Sequence, residues 1–333
     1  MYLKSFLRLS AHIQMLPVLE SGEETLVGGQ AVMEGVMMRA PHSYCVAVRK
    51  ANGEIVTEEC QLERLSEKRP IFKLPVLRGL GTLGQAMALG FRALRFSANN
   101  ALDDARLADE KSGKAPMPDK QMPGWLLWVN LAFSLGFFLF LYKVVPLYLA
   151  TEIGKHFQAV GSNLAVNLVD GVIRLILFLS FLTLISRMKD IHRVFQYHGA
   201  EHKVVFNYES GQQLSVQNAQ RFVTWHPRCG TSFLIVVMIM SLVVYAFLPF
   251  HAFLPRLLAR IALLPLIVGL SYEIIRYAAK KRASLLATIT TPGLWLQRVT
   301  TQPPSDEQTA VAIHALEGAM ALEARQGGEL VIA

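Results

Sequence analysis

The sequence predicts an α-helical integral membrane protein of about four spans, with a small cytoplasmic α+β domain on its N-terminal side. Three observations predict it. The 333-residue chain is 52% hydrophobic and only 17% charged, with a mean hydropathy of +0.34, a composition that suits a bilayer protein better than a soluble enzyme. Four apolar segments follow one another between residues 125 and 277. Ahead of them, residues 21–72 carry short β-rich runs punctuated by Gly and Asn-Gly, the pattern of strands joined by tight turns.

In chain order, residues 1–20 hold Lys4 and Arg8 but no sustained apolar core and no small-residue cleavage signal. They read as an amphipathic cytoplasmic start and not as a secretory signal. The glycine-rich stretch 26–39 matches neither a Walker A loop nor a dinucleotide fingerprint. It predicts a strand and tight turns with glycines at positive φ, or a loop that brings Glu34 and Arg39 to a site. Runs at 43–49 and 54–59 flank Ala51-Asn52-Gly53, a hairpin signal. Three cysteines, Cys45, Cys60 and Cys229, are too few and too odd in number for a disulfide framework. Cys45 and Cys60 are expected as small buried strand residues. Residues 75–102 predict a long helix whose Gly and Ala positions permit close packing. Its arginines, Arg78, Arg92 and Arg95, argue against a span and for a place along the membrane face or docked on the bundle. Residues 103–123 are polar, with Pro and Gly, and predict a linker.

The membrane domain is expected over 124–277, with spans at 125–150, 164–186, 231–250 and 256–277. Trp125 and Trp128 flank the first as interfacial aromatics. Arg174, inside the second, is expected to snorkel or to pair within the bundle. About 16 Lys and Arg precede the first span, about six lie in 187–230, and about five follow the fourth. The two opposite loops carry about one each. The asymmetry puts both termini and the 187–230 loop in the cytoplasm. The net charge of +8 and pI near 9.4 are assigned to these flanks, so no nucleic-acid partner is expected. The tail 278–333 predicts a turn and interfacial anchor at Thr291-Pro292-Gly293-Leu294-Trp295. A last helix follows, started by a Ser305/Gln308 capping box, with Val311, Ala315, Leu316, Ala319 and Leu322 on its buried face.

The densest chemistry is Tyr197-His198-Gly199-Ala200-Glu201-His202, on a helix expected to end at Gly211. It reads H-x-x-E-H, the order found in inverzincin metallopeptidases. On a helix, His198 and His202 lie about 40° apart with Glu201 on the same side. Two imidazoles one turn apart can hold Zn²⁺, and the carboxylate can take a proton from water beside it. The four-span topology brings His226, Cys229 and Glu273 to the same membrane level. Two assemblies fit. In one, His198, His202 and Glu273 bind the metal and Glu201 is the base; the gap to Glu273 is similar to that of the third ligand in inverzincins. In the other, His198, His202, His226 and Cys229 make a closed structural site. A straight helix from Ser186 would lift His198 about 18 Å off the membrane. The chain is therefore expected to bend near Arg187–Asp190, or the site to be completed by Glu34. Arg228 and the free N–H groups beside it could bind an anion such as a lipid phosphate.

The segments GGQAVMEGVMMR, YHGAEHKVVFNYE, HPRCGTSF and TPGLWLQRVTT together resemble the bacterial YqhQ-like family of multi-pass membrane proteins, over roughly residues 25 to 320. The resemblance implies a metal-dependent enzyme and carries no substrate. Glu34, Arg39, His198, Glu201, His202, His226, Arg228 and Cys229 stand in these segments, and Glu273 lies within the range of the resemblance. The combined expectation is a zinc-dependent hydrolase, peptidase-like, of the bacterial inner membrane. It would act at the cytoplasmic face on a membrane-associated peptide or a lipid-proximal substrate, with Glu201 as base. The reading from a different class is a non-catalytic scaffold or small-solute carrier, with a structural metal or none, in which Arg174 and the 75–102 helix matter more. Neither reading fixes the oligomeric state.

Overall fold

Alternation in the strands fixes which helices they meet. In a computed structural model, residues 27–63, 65–111, 124–226, 229–280 and 285–325 are described. The expected amphipathic start at 1–20, Arg228 and residues 112–123 of the expected linker lie outside them. Strands β1 (Gly28–Val32), β2 (Gly35–Arg39), β3 (Ser43–Arg49) and β4 (Ile55–Gln61) form an antiparallel sheet in sequence order. The β3–β4 hairpin turns at the expected Asn52-Gly53, with Gly53 at φ 89°. On one face of the sheet, Val36, Met38, Cys45 and Ala47 meet helices α5 (Lys189–Glu209) and α10 (Asp306–Arg325). On the other, Val32, Met37, Tyr44, Val46 and Val48 meet Leu89 and Ala93 of α1 (Leu77–Lys111). The sheet is the middle of three layers, because each strand's period of two supplies an apolar set to both faces.

The β1–β2 turn departs from expectation. The residue at positive φ there is Glu34 (52°), not a glycine. Gly29 and Gly35 serve close approach instead: a Cβ on Gly29 would stand 2.8 Å from Cγ of Glu201, so this glycine clears room for that side chain.

Helix α1 runs on through Lys111, nine residues beyond the segment expected to be helical, into the start of the expected linker. It docks on α8 (Leu264–Lys280), where Gly79 admits the Tyr272 ring. The membrane part contains α2 (Gly124–Leu139), which continues through a π-helical turn at Phe140–Val144 into α3 (Val145–His156), and then α4 (Asn163–Ile185). Ala132–His156 and Asn163–Ile185 are long and apolar enough to cross a bilayer. Helices α7 (Phe253–Ala262) and α8 are bent by 46° and make a third span if taken as one. Helix α6 (Gly230–Ala246) is apolar but only 17 residues long. By length and composition the described residues thus offer two to three spans, where about four, or three with one of the last two apolar segments re-entrant, were expected.

Two further features place the site. Helix α4 ends at Ile185, and Met188, with extended backbone (φ −72°, ψ 133°), starts α5. The chain therefore breaks within Arg187–Asp190, where a bend was needed. The segment expected to be a turn at Thr291–Leu294 is instead inside α9 (Leu285–Thr300), with Pro292 accommodated within the helix. The capping box at α10 forms as expected: Gln308 N–H donates to Ser305 Oγ at 3.2 Å, and Ser305 N–H donates to Gln308 Oε1 at 2.9 Å.

Candidate metal centre

Helix α5 carries two faces that do different jobs. Tyr197, Ala200, Val204 and Val205 are buried against the sheet and α10. That packing fixes the rotation of the helix and turns His198 and His202, one turn apart, toward the 224–231 segment. Gly199 lets the chain after α9 come close: a Cβ there would lie 2.1 Å from the Gln302 carbonyl oxygen. Gln302 N–H in turn donates to the Phe195 carbonyl at 2.9 Å.

That close approach anchors both rings. His198 Nδ1 lies 2.8 Å from the Thr300 carbonyl oxygen, and His202 Nδ1 bonds the Thr224 carbonyl oxygen. A carbonyl only accepts, so each ring carries its proton on Nδ1 and has its lone pair on Nε2. Metal-ligating histidines are held in this way, one ring nitrogen donating to a fixed oxygen while the other faces the ion. Nε2 of His198 is 3.2 Å from Cys229 Sγ. One nitrogen of each ring and that sulfur all lie within 4.8 Å of one another, a group that could hold a metal ion. Cys229 is the N-cap of α6, and its sulfur faces the Thr231 N–H and Oγ1 at 3.5 and 3.2 Å. The helix start thus fixes the thiol beside the two rings.

The donor set suits zinc. With bonds of about 2.0–2.3 Å, a tetrahedral site needs ligand atoms roughly 3.3–3.7 Å apart, so small side-chain rotations close the set. Burial, more than any neighbour, pulls His202 down to about 4, keeping its ring neutral and ready to ligate.

The remaining sequence-predicted residues fall in distinct places. Glu201 is buried, with Oε2 3.4 Å from His202 Nε2. It adjoins the metal-facing nitrogen of His202 but is not part of the three-residue group. His226 is buried next to that group, its ring 5.6 Å from His202 and 4.5 Å from Phe206, with Nε2 3.6 Å from Glu209. Burial also brings it down to about 4. Glu34 pairs with Arg193 and takes a 3.3 Å hydrogen bond from Tyr197 Oη, one residue before His198. Arg39 closes β2, opposite Gly28 and Tyr44.

Glu273 lies apart from this three-residue group. Its carboxylate is held by Arg78, with Nε at 2.7 Å, and by the Val76 N–H at 3.2 Å. Val76 has φ 68°, costly for a β-branched residue. The carboxylate therefore pins a strained corner that joins α1 to α8. Glu273→Gln is expected to cost about 1–3 kcal/mol of stability while leaving the metal content of the purified protein at the wild-type level. Loss of metal in that variant would restore Glu273 as a ligand.

Three participants were not read from the sequence. The carbonyls of Thr224 and Thr300 are backbone groups that no side-chain pattern betrays. Gln297, fully buried, clamps the His226 backbone: it accepts from His226 N–H at 2.7 Å and donates to the His226 carbonyl at 2.8 Å. Its place in the TPGLWLQRVTT segment was the available signal.

Burial of two neutral imidazoles makes stability depend on pH in a definite direction. Both rings have folded values near 4, below the ordinary 6.5. As pH falls, the unfolded chain takes up their protons first. Their contribution is therefore complete above 6.5 and is lost as pH falls toward 4. The melting temperature of the detergent-solubilised protein should fall through that window; a flat profile would contradict the burial of the rings.

Residues 74–322 match a family described as protein of unknown function (DUF1385). The chain is 34% identical over 306 residues, 89% of its own length and 93% of the other, to a protein of Bacillus subtilis (strain 168) described as uncharacterized protein YqhQ. No solved structure matches.

Proposed function

The chain belongs to the DUF1385 family, and from that premise we propose that it is a zinc-dependent hydrolase of the bacterial inner membrane. The observation that carries the proposal is the group His198, His202 and Cys229, with both Nδ1 positions engaged by backbone carbonyls. Three protein ligands leave a fourth position for water or substrate, which favours catalysis over the closed structural site of a scaffold. Bound zinc would polarise a carbonyl and make water acidic enough to attack near neutral pH. Glu201, buried beside the His202 nitrogen, accepts the water proton and passes it to the leaving group. His226 and Gln297 hold the wall behind the rings.

In this proposal the chain crosses the bilayer four times, α6 being the short span at about 25 Å, with both termini and the centre on the cytoplasmic side. The substrate is a membrane-associated peptide or a lipid-proximal molecule. A cavity of about 690 Å³ between α4, α6 and α9 supports that choice: Leu175, Ile239, Leu242 and Leu296 make its lining almost wholly apolar. Helix α9 contributes Leu296 and Val299 to this cavity and Gln297 and Thr300 to the centre.

The test works on whole membranes, before the substrate is identified. Membrane lipids and peptides are compared by mass spectrometry between cells carrying the wild type, Glu201→Gln or His198→Ala. The expected result is one species that accumulates in both variants, and two depleted products whose masses sum to that species plus water. Membranes indistinguishable among the three strains would contradict hydrolysis.

A further inference from the structure

A second polar cluster lies inside the membrane part, away from the His/Cys centre. Helix α4 presents Asn163, Asn167, Asp170 and Arg174 at spacings of four, three and four residues, a single stripe along one face. Arg256 donates to Asn163 Oδ1 at 2.6 Å. One turn further, Arg260 donates to Asn167 Oδ1 at 2.6 Å and pairs with Asp170 at 2.8 Å. Arg174 bonds the other oxygen of Asp170 and donates to Ser241 at 3.0 Å. The Tyr245 ring lies 5.1–5.3 Å from Lys143, Arg174 and Arg260.

These charges do not balance. A guanidinium remains protonated in any protein environment. Leaving Lys143 aside, Arg174 and Arg260 set two positive charges against one carboxylate among the described residues, that of Asp170, and Arg256 adds a third nearby. All four cations are buried, Arg260 completely. Unbalanced charge away from water is strongly unfavourable unless a partner supplies the opposite sign. Three buried donors of the cluster also lack an acceptor among the described residues: Nε of Arg174, Nε of Arg260 and Nδ2 of Asn167.

Two backbone irregularities coincide with the cluster. Lys143 sits on the π-helical turn Phe140–Val144, and such turns inside α-helices concentrate at functional sites. The bend between α7 and α8 falls just beyond Arg260, whose carbonyl accepts the Tyr245 hydroxyl at 2.9 Å. Broken helices that meet inside a bilayer recur around bound ions.

We propose that this cluster is an intramembrane binding site for a small monovalent inorganic anion of the chloride class. Such an ion accepts hydrogen bonds only and carries the missing sign.

The test uses the full chain in nanodiscs of zwitterionic lipid. Chloride is titrated against gluconate at constant ionic strength while thermal unfolding is followed. The expected result is a saturable rise in melting temperature with chloride, and with bromide, that gluconate does not give. Arg174→Met should raise the half-saturating chloride concentration at least ten-fold. Asp170→Asn, which removes the competing carboxylate, should lower it at least ten-fold. If either variant fails to fold, Lys143→Met serves, with a several-fold increase expected. Superimposable curves in chloride and gluconate would overturn the proposal, as would half-saturation that none of the folded variants moves. A rise that requires phosphatidylglycerol in the disc and ignores chloride would also overturn it, assigning the cations to a lipid headgroup.

Discussion

Glu201→Gln should retain the wild-type zinc content and lose activity by about 10²- to 10⁴-fold, the usual worth of a positioned general base. The amide keeps the shape of the side chain, so the space cleared by Gly29 remains filled. What it loses is basicity. His202 Nε2 offers a lone pair, since Nδ1 holds the proton for Thr224. The carboxylate oxygen 3.4 Å away is thus placed to accept a proton from water at that position. Rates measured on the species that accumulates in Glu201→Gln membranes, together with metal analysis of the same preparation, check the expectation. Loss of zinc together with activity would make Glu201 a ligand or a structural residue instead.

Gly199→Val should be as damaging through an entirely different route. The new Cβ would stand 2.1 Å from the Gln302 carbonyl oxygen and 3.3 Å from the Thr224 side chain. Backbone cannot yield as a flexible side chain can, so residues 300–302 must move off α5. That movement withdraws the Thr300 carbonyl from His198 Nδ1. We expect a destabilisation of about 1–3 kcal/mol from overpacking and a 10- to 100-fold weaker hold on zinc, the usual cost of a lost second-shell partner. Chelator competition and thermal unfolding measure the two effects separately. Wild-type zinc affinity in Gly199→Val would mean that the carbonyl anchors do not matter.

Much of this arrangement is legible in the residues, but unevenly. Asn52-Gly53 and the Ser305/Gln308 box act through local backbone chemistry, so their turn and helix start could be read without tertiary information. The spacing of His198, Glu201 and His202 fixes their relative angles on any helix. The identity of the third partner was not so fixed. The expected topology put Glu273 and Cys229 at one membrane level, and only the docking of α1, which gives Arg78 to Glu273, separates them. The positive φ of the β1–β2 turn falls on Glu34, whose side chain Arg193 and Tyr197 hold, while Gly29 and Gly35 are needed for proximity. Pro292 in the α9 sequence signalled a turn, and packing against α6 overrode it. The carbonyls of Thr224 and Thr300 leave no trace in side-chain identity at all.

In the proposed centre, two imidazoles of α5 and the sulfur at the start of α6 hold one metal ion. The most direct test is metal analysis by mass spectrometry of full-length protein purified without chelator, wild type beside His202→Ala and Cys229→Ala. About one zinc per wild-type chain is expected, from the three-ligand group found among the described residues, and little or none in either variant. Wild-type protein free of metal, or variants that retain it in full, would rule out a metal held by these residues.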